Sequence, residues 1–185
     1  MFGKANVEKL TKRHDVEGLI RALGHQDASV RSSAALALGE IGDAAALDGL
    51  VELLRYEQGE PPEGADSPEA CSVRMAAATA LGTLGRAEAV DPLCHALEWV
   101  TGELIREAEA ARSHHFVSLG PGPGGELFEK LARSALVAAQ NYREEGLAEV
   151  EALRQLDDAR SSTPVEAFTR ALRQIDFTVA AGVGS

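Results

Sequence analysis

The chain has 185 residues, 45% hydrophobic and 25% charged, which fits one folded domain, with or without an extension, and neither a disordered nor a membrane-spanning class. Thirty-two alanines and only 4% aromatics predict an all-α fold whose core is assembled from small and aliphatic side chains. Eighteen Lys plus Arg against 29 Asp plus Glu leave a net charge of −11, which argues against a phosphate-binding surface and so against nucleic acid as a partner.

The first 14 residues are locally basic, with Lys4, Lys9, Lys12 and Arg13 against Glu8, and they lack the apolar stretch of a secretory signal. A cytoplasmic protein with no membrane partner is expected. Asp27 is placed as the N-cap of a helix in which Val30, Ala34, Ala37 or Leu38, and Ile41 recur at helical spacing, with Gly39 and Gly42 ending it. A second helix is predicted from about Ala45 to Arg55, burying Leu47, Leu50, Val51 and Leu54. Residues 57–69 then carry Glu57, Glu60, Glu63, Asp66 and Glu69 with no base, and read as a solvated acidic loop. Ser67 and Pro68 are suited to start the next helix.

That helix repeats the first. Val30-Arg31 and Val73-Arg74 open matching segments at an offset of 43, which continue through Ala34/Ala77, Ala35/Ala78, Leu38/Leu81, Gly39/Gly82, Gly42/Gly85, Asp48/Asp91, Leu50/Leu93 and Leu54/Leu97. A second offset, 31, aligns Gly18, Leu19 and Leu23 with Gly49, Leu50 and Leu54. The period is therefore 31, with a 12-residue insertion at 57–68. One helical hairpin of this kind cannot bury its apolar face alone, so the units must stack.

The run Asp27-x-x-Val30-Arg31-x-x-Ala34-Ala35-x-Ala37-Leu38-Gly39-x-Ile41-Gly42-Asp43, followed by Leu50-x-x-Leu53-Leu54, resembles the short HEAT-like (E-Z type) repeat of phycobilisome lyases, over residues 7–98. The resemblance implies a right-handed α-solenoid of stacked helical hairpins, with the second helices lining a concave surface used mostly for protein partners. It also implies structural roles for Arg31 and Arg74, bridging neighbouring turns. Asp43 is the candidate partner of Arg31, whereas the matching position in the second unit is Arg86.

Residues 1–98 thus form the repeat region and 99–185 a divergent helical extension. In the extension Thr101–Arg112 reads as a polar helix, and the Gly/Pro-rich stretch 118–125 as a break. Leu127, Leu131, Ala135, Ala138 and Tyr142 are spaced for one helix face, and Leu147, Val150, Leu153 and Leu156 for another. At an offset of 100 these suggest a degenerate third unit within 126–160. A capping helix follows, with Thr163 as N-cap, Pro164 at its first position, Glu166 completing a capping box, and Phe168, Leu172 and Ile175 inside.

Motifs for chemistry are weak. Gly120-x-Gly122-x-x-Gly125 has no preceding strand to make it a dinucleotide site. The adjacent His114 and His115 diverge by about 100° on a helix and cannot chelate as an i, i+4 pair would. Cys94 aligns with the core position Val51, and Cys71 likewise reads as a buried thiol. No cofactor, metal or catalytic residue is expected.

Superposing the second helices sets Glu17, Asp48 and Asp91 at one level and Arg21, Glu52 and His95 at the next, as a partner-binding surface on the expected concave face. An acidic ladder of this kind favours a basic protein partner, although a carboxylate in a helix's first turn also offsets the macrodipole without any partner. The expected function is a non-enzymatic scaffold or adaptor. The alternative is a lyase-like subunit or chaperone acting on a chromophore-bearing or other protein substrate. The HEAT-repeat metal hydroxylases need His-Glu dipeptides, which are absent, and the HEAT-like DNA glycosylases need a basic groove.

Overall fold

Among the described residues, four with positive φ mark corners of the chain: His14 (52°), Gly42 (75°), Gly85 (69°) and Asp157 (46°). Glycine takes this conformation without strain, and Asp and His are among the side chains that tolerate it best. In a computed structural model the described residues, 4–56, 68–117 and 123–175, form eight α-helices around these corners and no strand. They are α1 (Lys4–Lys12), α2 (Val16–Leu23), α3 (Ala28–Ile41), α4 (Leu47–Tyr56), α5 (Pro68–Leu84), α6 (Val90–Val117), α7 (Pro123–Leu156) and α8 (Ser162–Gln174). Each second helix packs on the first helix that follows it, α2 on α3, α4 on α5 and α6 on α7; the first helices α1, α3, α5 and α7 stack in that order, and the second helices follow in the same order. This is an all-α solenoid of helical hairpins. The acidic loop expected at 57–69 falls largely on residues 57–67, outside the described residues.

A side-chain cap follows three of the four corners. Asp15, Asp43 and Asp158 accept hydrogen bonds from the N–H groups of Gly18, Ala45 and Arg160 at 2.8, 2.9 and 2.8 Å. Arg86 stands at the same place in the third hairpin and makes no side-chain cap. Asp27 caps α3 as expected, accepting from the Ser29 N–H at 2.8 Å. Asp15 is the partly buried cap of the short helix α2. Asp15→Ala is therefore expected to lower stability by about 1 kcal/mol, read as a shifted urea midpoint.

Gly39 does not end its helix. It lies within α3, where an added Cβ would sit 2.8 Å from the Ala80 Cα of α5. Gly82 of α5 meets Ala152 of α7 in the same way, at 2.7 Å. These glycines let the first helices touch backbone to backbone, and the alanines Ala34, Ala35, Ala77, Ala78, Ala80 and Ala152 fill the same seams, all buried. Between the two helix layers lie Leu19, Leu38, Leu50, Leu54, Leu81, Leu93, Leu97 and Leu153, each fully buried.

The carboxyl-terminal half departs from the expectation. Thr101–Arg112 is no separate helix but the middle of the 28-residue α6. Residues 118–122 of the expected break are outside those described, while Pro123, Gly124 and Gly125 open the 34-residue α7, where a proline at the first position costs no hydrogen bond. α7 runs unbroken through 126–156, so no hairpin folds inside 126–160. The repeating element is α7 with α8. At an offset of 72, Ala80, Leu81, Gly85, Ala87 and Pro92 match Ala152, Leu153, Asp157, Ala159 and Pro164, including the two positive-φ corners. Helix α8 starts at Ser162, one residue before the expected N-cap Thr163, because Asp158 already caps the tight turn that leads into it. Phe168 is fully buried, its ring against Gly146.

Candidate functional site

All six residues of the predicted binding surface are exposed on second helices, and the structure places them in three different states. On α2, Glu17 and Arg21 form a loose ion pair at 3.9 Å. On α6, Asp91 accepts two hydrogen bonds from the Arg160 guanidinium, at 2.9 and 3.0 Å. Arg160 also bonds the Asp158 carboxylate at 2.9 Å, holding that acid down at a pKa of about 2. His95 lies 3.7 Å from Glu98. On α4, by contrast, no hydrogen bond or ion pair among the described residues engages Asp48 or Glu52. With Val51 and Arg55 they line an open depression of about 430 Å³. The buried stripe of α4 is also displaced from its expected register: Leu50, Leu53 and Leu54 are buried, while Leu47 and Val51 are only half-buried. Val51 is thereby free to floor the depression.

A second cluster lies inside the molecule, between α5, α6 and α7. Arg74 is 1% exposed, and its Nε and Nη2 donate to the two carboxylate oxygens of Glu145, the second at 2.9 Å. Its guanidinium stands 5.2 Å from the centre of the Trp99 ring, which meets Tyr142 edge-on at 5.6 Å. Glu149, one turn further along α7, is fully buried, and among the described residues neither carboxylate oxygen has a hydrogen-bond partner. Burial lifts the pKa of both acids. At Glu145 the hydrogen bonds and charge of Arg74 oppose it, whereas at Glu149 the neighbouring Glu145 adds to it and holds the group well above the ordinary carboxylate range. Of the two acids, Glu149 is the one whose surroundings favour the protonated form more strongly. Cys71, beside the pair, donates to the Asn141 carbonyl at 3.3 Å, and burial pushes its thiol up to about 12, so it packs rather than reacts. Cys94 is half-buried, and neither cysteine is in a disulfide.

A family model described as HEAT repeats matches residues 7–61, and one described as PBS lyase HEAT-like repeat matches residues 73–98. The chain carries HEAT repeats. No curated protein matches it. The two matches cover the second helices that hold all six surface residues, while the α7–α8 hairpin extends the HEAT stack beyond the matched residues. The two arginines of the HEAT motif take different partners. Arg31 donates to the carbonyls of His25 and Gln26 at 3.0 and 3.1 Å, not to the expected Asp43, which is occupied in capping Ala45. Arg74 reaches forward to the next hairpin.

Glu145 and Glu149 were not singled out by the sequence. At the offset of 72 they stand where Val73 and Ala77 stand in the preceding repeat, and two acids at core positions are the signal that this register exposes.

Proposed function

We propose that this protein is a non-enzymatic scaffold that binds a basic protein partner on its second-helix face, with Asp48 and Glu52 as the central contacts. HEAT repeats generally mediate protein–protein interaction. The observation that carries the reading is the depression on α4, where two exposed carboxylates, without partners among the described residues, flank a half-buried Val51. An arginine or lysine seated there gains charge-assisted hydrogen bonds while its stem covers Val51. Glu17, Arg21, Asp91 and His95 extend the same face. Asp91, held by Arg160, contributes less than the ladder pattern alone suggests. Among the described residues no helix is long and apolar enough to cross a membrane.

The test compares Asp48→Lys/Glu52→Lys with a control reversal, Glu40→Lys, at an exposed position of α3. The double reversal is expected to abolish capture of partners that the wild type retains from a lysate, and to remove the salt dependence of that capture. Capture equal to that of the Glu40→Lys control would exclude this face.

A further inference from the structure

The cluster at the α5–α7 joint holds two buried carboxylates against one guanidinium. Arg74 is engaged by Glu145, so a charge on Glu149 would have no counter-ion of its own and, among the described residues, no hydrogen-bond donor. The preceding repeats place Ala34 and Ala77 at this position, where the seam between first helices is packed backbone to backbone. An ionised carboxylate cannot stay there: it must be protonated or the seam must part to admit water.

We propose that the α5–α7 joint is a proton-operated latch, in which α7 seats on α5 with a proton on Glu149 and loosens when that proton leaves. The charged groups acting on Glu149 are Arg74 from α5 and Glu145 from its own helix. Cys71 of α5 stands beyond Glu145, and its thiol stays protonated throughout the neutral range. α6 brings the Trp99 ring to Arg74, and α8 lays the Phe168 ring over Gly146. Because burial raises the folded-state pKa of Glu149, the latch is fully closed below the ordinary carboxylate range and opens as pH rises through the folded value. The moving part is the C-terminal half of α7 with α8. It carries Arg160, so opening also frees Asp91 on α6.

Trp99 is the chain's sole tryptophan and lies within the cluster, so its fluorescence reads the joint directly. Between pH 5 and 9 the wild type is expected to show a red shift in Trp99 emission, with amide exchange in residues 139–156 accelerating at least tenfold relative to α3. Glu149→Gln, a neutral near-isostere, is expected to keep the low-pH emission and slow exchange across the whole range. His95, one turn before Trp99, is present in both proteins, so the difference between them isolates Glu149. A wild type without a transition, or the same transition in Glu149→Gln, overturns the proposal. If Glu149→Gln does not fold, Glu149→Ala, which restores the residue of the earlier repeats, is measured instead. Failure of both neutral variants to fold also overturns it.

Discussion

Arg74→Met is expected to lower the unfolding free energy by about 3–5 kcal/mol at neutral pH, the largest effect of any single substitution considered for this chain. The methionine fills much of the same volume against Trp99, so the loss arises mainly from charge. Glu145 is fully buried, and Arg74 donates a hydrogen bond to each of its carboxylate oxygens, besides opposing the upward push of burial on its pKa. Without the guanidinium, Glu145 joins Glu149 in requiring a proton.

The sign of the pH dependence follows. Both acids then titrate above their unfolded value of about 4.3, so the variant keeps most of its stability below that pH and loses it as pH rises through the folded values. Urea midpoints at pH 4.5 and pH 7.5 should therefore diverge much more for Arg74→Met than for the wild type. Arg74→Met/Glu145→Gln should recover most of the loss at pH 7.5, because replacing both members of a buried ion pair removes the unpaired charge. A single substitution costing under about 1 kcal/mol would show that water already reaches the pair.

Gly39→Ala and Gly82→Ala are each expected to destabilise by about 1–3 kcal/mol, against the local preference of the helix. In an exposed helix interior the same change gains close to 1 kcal/mol, since alanine is the better helix former. Here the new Cβ would lie 2.8 Å from the Ala80 Cα or 2.7 Å from the Ala152 Cα, and backbone atoms cannot rotate aside as a side chain can. Relief requires the first helices to separate, which loosens the whole seam of buried alanines. The two glycines sit in different seams, α3 against α5 and α5 against α7, so the double variant should lose the sum of the single losses to within about 0.5 kcal/mol. Thermal melts of the three variants check this. A rise in stability at either position would mean that the seam is less closely packed than its distances indicate.

Much of the architecture was legible because the first repeats are regular. The spacing of Val30, Ala34, Leu38 and Ile41, the cap at Asp27 and the corner glycines Gly42 and Gly85 follow from local chemistry that leaves little choice of backbone. Gly39 misled because a glycine near a helix end and a glycine in a helix seam look identical in one dimension; only the approach of Ala80 separates them. The α7–α8 hairpin was hidden for a related reason. Its corner is Asp157 rather than glycine, and the long α6 and α7 stretch the register to 72, so Leu147 was read as a core residue although it is 44% exposed. That the six surface residues lie exposed on successive second helices was legible. Their differing states were not, because Arg160 comes to Asp91 from 69 positions away.

The close approach that Gly39 and Gly82 allow is not repeated on α7. The position equivalent to these glycines in α7 is Arg154, whose exposed side chain lies 3.7 Å from Glu151. A guanidinium stands here where the earlier first helices carry a hydrogen atom, and Leu147, two turns before it, is also exposed. That side of α7 therefore lacks the close backbone approach that joins α3 to α5 and α5 to α7. Restoring it by design, so that another first helix could pack backbone to backbone on α7, would begin with Arg154→Gly.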